Sequence, residues 1–259
     1  MLAFSVRSTR LRLDQALLAR GLAPTRARAQ ALIMAGLVRV DGRCVDKPGA
    51  SVPSTAVLEL SGPDHPWVSR GGVKLAAALA AFNVDPRGKN CLDVGASTGG
   101  FTDVLLAGGA ARVTAVDVGR GQLDERLRAD PRVVVRDGIN ARFLTARDVD
   151  APFDLIVVDV SFISLRLVLP ALVPLLAPVG EVVALVKPQF EAGRRQVGKG
   201  GVVRDAAVRE AAIAAVLAAA ESLGLRCCGR LPSPLPGPAG NVEELVHLRS
   251  AQGASAQSS

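Results

Sequence analysis

The 259-residue sequence contains no tyrosine, one tryptophan and seven phenylalanines, so aromatic side chains make up only 3% of it. That scarcity disfavours a protein that grips single strands by stacking successive bases on many aromatic platforms. Alanine, valine and leucine must do most of the packing. Cysteine is scarce too. Cys44, Cys91, Cys227 and Cys228 form no Cys-x-x-Cys pair, and two of them are adjacent, so neither a zinc site nor a disulfide framework is expected. A reducing cytoplasm fits this usage. The only two histidines, His65 and His247, are read as structural or exposed rather than catalytic, and no metal is expected. Long hydrophobic runs are also missing. The longest gentle run, AAIAAVLAAA at 211–220, is too short to cross a bilayer and is flanked by Glu210 and Glu221. The opening MLAFSVRSTRLRL has no apolar core of signal-peptide length. A soluble, cytoplasmic protein without a membrane partner is the expectation.

Positive charge is abundant, and it is unevenly spread. Residues 1–62 hold nine Lys/Arg against four Asp/Glu, whereas the other 197 residues hold 22 against 20. Most of the excess of +7 therefore sits in about a quarter of the chain. Such asymmetry points to a polyanionic partner, nucleic acid more readily than membrane.

Within that basic quarter, Leu13, Leu17 and Leu18 recur at helical spacing and Gly21 ends the helix. Thr25 is placed to cap a second helix with an apolar stripe of Ala29, Leu32 and Ile33, stopped by Gly36. LVRVDGRCV then reads as strand, Asp-Gly turn, strand. Arg26 and Arg28, with Arg20 just before them, sit beside the apolar stripe, where they could bind phosphates. This order of residues over about 10–58 resembles the S-four-type RNA-binding domain of ribosomal proteins and RNA-modifying enzymes. The likeness implies that Arg12, Arg26, Arg28 and Arg39 contact RNA. The expected division is a head at 1–60, a linker at 61–68, a main domain at 69–250 and a small polar tail at 251–259.

From residue 69 onward, strand-length apolar runs alternate with helical stretches: NCLDVG, RVTAVDV, RVVVRDG, FDLIVVDVSF and EVVALVKPQF. Continuous rather than alternating hydrophobicity marks strands buried on both faces, hence a parallel sheet clad by helices. The fold class expected is α/β: a doubly wound, Rossmann-like domain behind a small α+β head. Its ligand belongs beyond the C-terminal strand ends, at the switch point.

The first strand runs into DVGASTGGF, a glycine-rich turn opening a helix. Its spacing is not the Gly-x-Gly-x-x-Gly of dinucleotide folds, and no Gly-Lys-Ser/Thr follows, which counts against nucleoside triphosphates. Instead Asp93 ends the first strand, Asp117 the second, Asp137 the third and Asp159 the fourth. Four acids on successive strand tips are a poor cradle for pyrophosphate. They suit a cationic, phosphate-free nucleoside, S-adenosylmethionine, whose ribose and adenine would find acceptors at Asp117 and Asp137. Asp93, Gly95, Ala96, Ser97, Thr98, Gly99, Gly100, Phe101, Asp117, Asp137 and Asp159 are the expected cofactor residues.

The methyl acceptor is read from what surrounds that turn. Asp159 is followed by VSFIS, so the Pro-Pro-aromatic signature of exocyclic-nitrogen methylation is absent. No cysteine is placed as the nucleophile that carbon-5 pyrimidine chemistry needs. What the sequence offers is Lys187 at the end of the fifth strand, Lys74 in a helix that Ser69 is placed to cap, and Glu243 at the start of a last strand. Two lysines and carboxylates beside a methyl donor suit a ribose 2′-hydroxyl, which must lose its proton as it attacks. Lys187 is the expected base, and a second lysine and a sulfonium alongside would favour its neutral amine.

The stretches WVSRGGVKL, LDVGASTGGFTDVLL, VDVGRGQL, VVDVSFISL, LVKPQFE, VGKGGVVRD and SPLPGPAGNVEE together closely resemble the TlyA family, ribosomal RNA methyltransferases with an FtsJ-like (RrmJ-type) catalytic domain behind an S-four-type head. The resemblance implies a Lys-Asp-Lys-Glu catalytic set at Lys74, Asp159, Lys187 and Glu243. It also implies methylation of cytidine 2′-hydroxyls in ribosomal RNA of one or both ribosomal subunits. Some members have been described as haemolysins; a membrane-active protein would need an amphipathic or spanning segment, and none is evident. A non-catalytic RNA binder is the other alternative. Where some relatives carry Arg-x-Trp-Val between the domains this chain has HPWV, so the arginine's role does not carry over to His65.

Overall fold

The computed structural model describes residues 10–60, 65–237 and 239–250. The first four positions of the expected linker, 61–64, and the expected tail, 251–259, lie outside the described residues.

The head begins with β1 (Arg10–Arg12), α1 (Leu13–Ala19), α2 (Arg26–Met34), β2 (Val38–Val40) and β3 (Arg43–Cys44). It ends with β4 (Ser51–Pro53) and β5 (Leu58–Leu60). Thr25 caps α2 as the sequence predicts, its hydroxyl accepting from the Arg28 amide. Asp41 and Gly42 make the turn between β2 and β3, and β5 pairs on the other side of β2. The antiparallel pairing of β1 with β4 was not legible in the sequence. Leu13, Leu17, Ala29 and Ile33 are fully buried, but Leu18 is exposed, because four residues rather than five return α1 to its buried face.

The remaining elements are α3 (Arg70–Phe82), β6 (Asn90–Val94), α4 (Gly100–Ala107), β7 (Arg112–Asp117), α5 (Glu125–Arg128), β8 (Val133–Asp137) and β9 (Phe153–Val158). They continue with α6 (Leu165–Leu172), β10 (Leu176–Val186), α7 (Pro188–Glu191), α8 (Ala206–Ser222), β11 (Leu225–Pro232) and β12 (Glu244–Ser250). The seven-stranded sheet has the order β11-β12-β10-β9-β6-β7-β8. α3 and α4 pack on one face around Leu75, Leu105 and Val113. α6 and α8 pack on the other around Leu169, Val216 and Ile156.

Two features correct the expected parallel sheet. β12 runs antiparallel to β10 and to β11, making the sheet mixed. β11 itself escaped the sequence reading: it is a largely exposed edge strand without the continuous apolar run of the buried ones. The order reverses between β6 and β9, so the segments leaving these two strands flank the crevice where doubly wound sheets bind ligands. Ser69 occupies the N-cap position of α3 but its side chain makes no capping hydrogen bond. It is turned against Gly100 at the start of α4, where a β-carbon would collide with its hydroxyl.

Candidate active site

The turn after β6 is shaped by close backbone approach. Gly95 has φ +85°, and a β-carbon there would lie 2.5 Å from the backbone oxygen of Asp159. Only glycine lets the ends of β6 and β9 come this near. Gly99, with φ +97°, turns the chain into α4 over Leu123 and Leu127. Ala96, Thr98 and Phe101 are buried, and Phe101 points into the core beside α3, so these positions offer a ligand mainly their main chain.

The four acids occupy different environments. Asp93 is not the tip of β6 but its penultimate residue, wholly buried behind the first turn of α4. Thr102 donates to its Oδ2 at 2.7 Å, and its Oδ1 has no partner among the described residues. Burial pushes the Asp93 carboxyl up to about 7 despite the Thr102 hydrogen bond. Asp117 closes β7 and accepts from the amides of Ser97 (2.8 Å) and Gly119 (2.6 Å), tying the glycine turn to the next loop. Asp137 closes β8, accepts from the Gly121 amide at 2.9 Å and pairs with Arg128 at 3.2 Å. Asp159 directly follows β9.

Asp159 belongs to a second constellation at the same end of the sheet. Its Oδ1 lies 2.6 Å from Nζ of Lys187, the residue after β10. Lys187 also donates to Ser161 Oγ at 2.8 Å. Burial raises the Asp159 carboxyl, but Lys187 and Lys74 outweigh it and hold it below its ordinary value. Lys74, in α3, pairs at 2.5 Å with Oε2 of Glu243, which immediately precedes β12. The other Glu243 oxygen faces Gln189 Nε2 at 3.5 Å, and Gly237 lies against the carboxylate where a β-carbon would not fit. The structure thus brings Lys74, Asp159, Lys187 and Glu243 together from four separate elements. Ser161 and Gln189 were not singled out in the sequence; each stands two residues beyond a residue that was. Phe162, 88% exposed and tilted against Phe190 at 5.1 Å, was also passed over.

The five candidate RNA-contacting arginines of the head are dispersed differently. Arg12 and Arg26 meet at Asp14, each with Nε at 3.0 Å from its carboxylate. Arg20 donates to the backbone oxygens of Ala56 and Ser54, and Arg39 to that of Gly42. Arg28 reaches the main domain, donating to the Gln122 carbonyl at 2.9 Å and lying 3.5 Å from Asp124. A second tie runs from Arg70, at the start of α3, to Asp46 at 3.7 Å. Trp67 packs against Gly72 of the same helix.

Comparison with known proteins places these features in a family. The model of the FtsJ-like methyltransferases matches residues 67–250 and that of the S4 domain matches residues 11–58. The 16S/23S rRNA (cytidine-2′-O)-methyltransferase TlyA of Mycobacterium tuberculosis is 52% identical over 93% of this chain and 90% of its own length. The chain belongs to the TlyA family of FtsJ-like methyltransferases. Another similar protein, Hemolysin A of Brachyspira hyodysenteriae, is 39% identical over 92% of this chain and 99% of its own. A solved structure from Streptococcus thermophilus, also named as a hemolysin, superposes with a TM-score of 0.73 at 45% identity, covering 93% of this chain and 88% of that one. The TlyA-family fold described here has, among the described residues, no helix long and apolar enough to cross a membrane.

Proposed function

We infer that this chain is an S-adenosylmethionine-dependent methyltransferase that modifies cytidine ribose 2′-hydroxyls of ribosomal RNA, acting in the cytoplasm with residues 1–60 as its RNA-binding head. The observation that carries this reading is the pair of lysine–carboxylate contacts, Lys187 with Asp159 and Lys74 with Glu243, set beside the glycine turn. The donor fits the residues present. A buried, half-satisfied Asp93 and the paired Asp159 suit a cationic ligand, while the carboxylates of Asp117 and Asp137 at adjacent strand ends suit a nucleoside's hydroxyls and amine. The sequence reading of a phosphate-free pocket agrees with this acidic rim.

When bound, S-adenosylmethionine supplies a methyl group activated by its sulfonium. The chain's own task is to ready the oxygen. A ribose hydroxyl entering the crevice meets Lys187 Nζ, which, once its own proton has been released to solvent, accepts the 2′ proton as the oxygen attacks. Asp159 and Ser161 hold that nitrogen at the rim, so the base does not have to be found by a flexible side chain. Lys74 is fixed in turn by Glu243, and Gln189 reaches the second Glu243 oxygen. Phe162, three residues after Asp159 and tilted against Phe190, offers an exposed ring on which a base can stack.

Incubation with methyl-labelled S-adenosylmethionine and isolated ribosomal subunits, followed by digestion to nucleosides, tests the reading. Label in 2′-O-methylcytidine is expected; label on a base would contradict the lysine mechanism.

A further inference from the structure

We propose that Asp14 is the positioning residue of a two-arginine fork, formed by Arg12 and Arg26, that takes one backbone phosphate of the RNA. This rests on the reading of the head as an RNA-binding unit. Asp14 stands in the first turn of α1 and is wholly buried, an odd place for an anion in the most basic part of the chain. Its carboxylate is saturated: Arg12 donates through Nε and Nη2, Arg26 through Nε and Gln30 through Nε2, each at 3.0 Å. The hydrogen bond from Arg12 leads in holding this carboxyl below its usual range.

The two guanidinium groups come from different elements, the last residue of β1 and the first of α2, and only the shared carboxylate brings them side by side. Their side chains stay 46% and 53% exposed. Arg26 spends only Nε on Asp14, which leaves both its terminal nitrogens for a ligand, and Arg12 keeps Nη1. Gly49 leaves room at that nitrogen, since a β-carbon there would approach it to 3.3 Å. Two planar forks held on one anchor match the tetrahedral oxygens of a phosphate, and fixing them in advance removes the rotamer cost of binding. The first turn of α2 contains no acid, so the helix end adds to the attraction.

Net charge and positioning predict opposite signs for Asp14→Asn, which makes the test sharp. The substitution adds one positive charge to the head, so general electrostatics would tighten binding to RNA. Loss of the anchor would weaken it. Filter binding of the full chain to naked ribosomal RNA should show Asp14→Asn binding about tenfold more weakly, with its thermal transition retained. Unchanged or tighter binding by a folded Asp14→Asn variant overturns the proposal. Should that variant lose the head's folding transition, a double-mutant cycle decides. Arg12→Ala and Arg26→Ala are expected to cost about tenfold each, and together far less than their product, because they share one phosphate. Additive losses remove the fork while leaving the head an RNA binder. A doubly substituted chain that binds RNA like the wild type removes the RNA-binding reading itself.

Discussion

Lys74 and Glu243 are 169 residues apart in the chain and meet in a buried ion pair 2.5 Å long. The contact joins α3, on one face of the sheet, to the entrance of the antiparallel β12. It therefore fixes a proposed catalytic lysine and ties α3 to the start of β12 with the same bond. Removing one partner of a buried pair leaves an uncompensated charge. Lys74→Ala is expected to cost about 3 kcal/mol of stability and to abolish methyl transfer. Adding Glu243→Gln should restore part of the melting temperature and none of the activity. Recovery of both together would mean that the pair is only structural.

The Asp93 carboxyl, raised by burial from 3.8 to about 7, gives the fold a signed pH dependence. Between these values the folded state binds a proton that the unfolded chain has released, so this residue makes stability fall as pH rises from about 4 to about 7 and then level off. Asp93→Asn should flatten that decline in denaturant titrations across the interval. If the carboxylate faces a cationic donor, affinity for S-adenosylmethionine measured by calorimetry should rise over the same interval in the wild type and lose that dependence in Asp93→Asn.

Gly95→Ala combines two penalties, a left-handed φ of +85° and a β-carbon 2.5 Å from the Asp159 backbone oxygen. Together they are expected to cost about 2–3 kcal/mol and to push the ends of β6 and β9 apart. Loss of donor binding with the head's RNA affinity unchanged is the expected pattern. An alanine variant that binds donor normally would show that the close approach is not needed.

Deletion of residues 1–60 separates donor binding from RNA binding. The glycine turn, the strand-end acids and the four clustered residues all come from beyond residue 69, so donor binding should largely survive. RNA affinity should fall steeply, and the part that is lost should be the part most sensitive to salt. A truncated chain that methylates RNA as well as the intact one would leave the basic head without a function.

The sheet was readable to the extent that burial shows in one dimension. β6, β7, β9 and the second half of β10 are apolar runs covered on both faces, and β8, a half-buried edge strand, shows through its run of valines. β11, LRCCGRLP, lies at the edge with most residues exposed, so it has no such run. The reversed direction of β12 leaves no trace in composition, since an antiparallel neighbour needs the same side chains. At the site, Lys187 and Asp159 stood out because charged residues end apolar strands. Asp14 did not, because its burial depends on Arg12, Arg26 and Gln30 arriving from elsewhere in the head. Arg28 was readable as a basic side chain on a helix but not as a tie to Gln122, a contact 94 residues away.

Lys187 is proposed to remove the proton from a ribose 2′-oxygen. The most direct test is methyl transfer to ribosomal RNA by the wild type and Lys187→Ala side by side, with the modified atom mapped. Label on a cytidine 2′-oxygen is expected with wild type, and loss of transfer with donor binding retained is expected in Lys187→Ala. Near-normal turnover by Lys187→Ala, or label on a base in the wild type, would contradict this role.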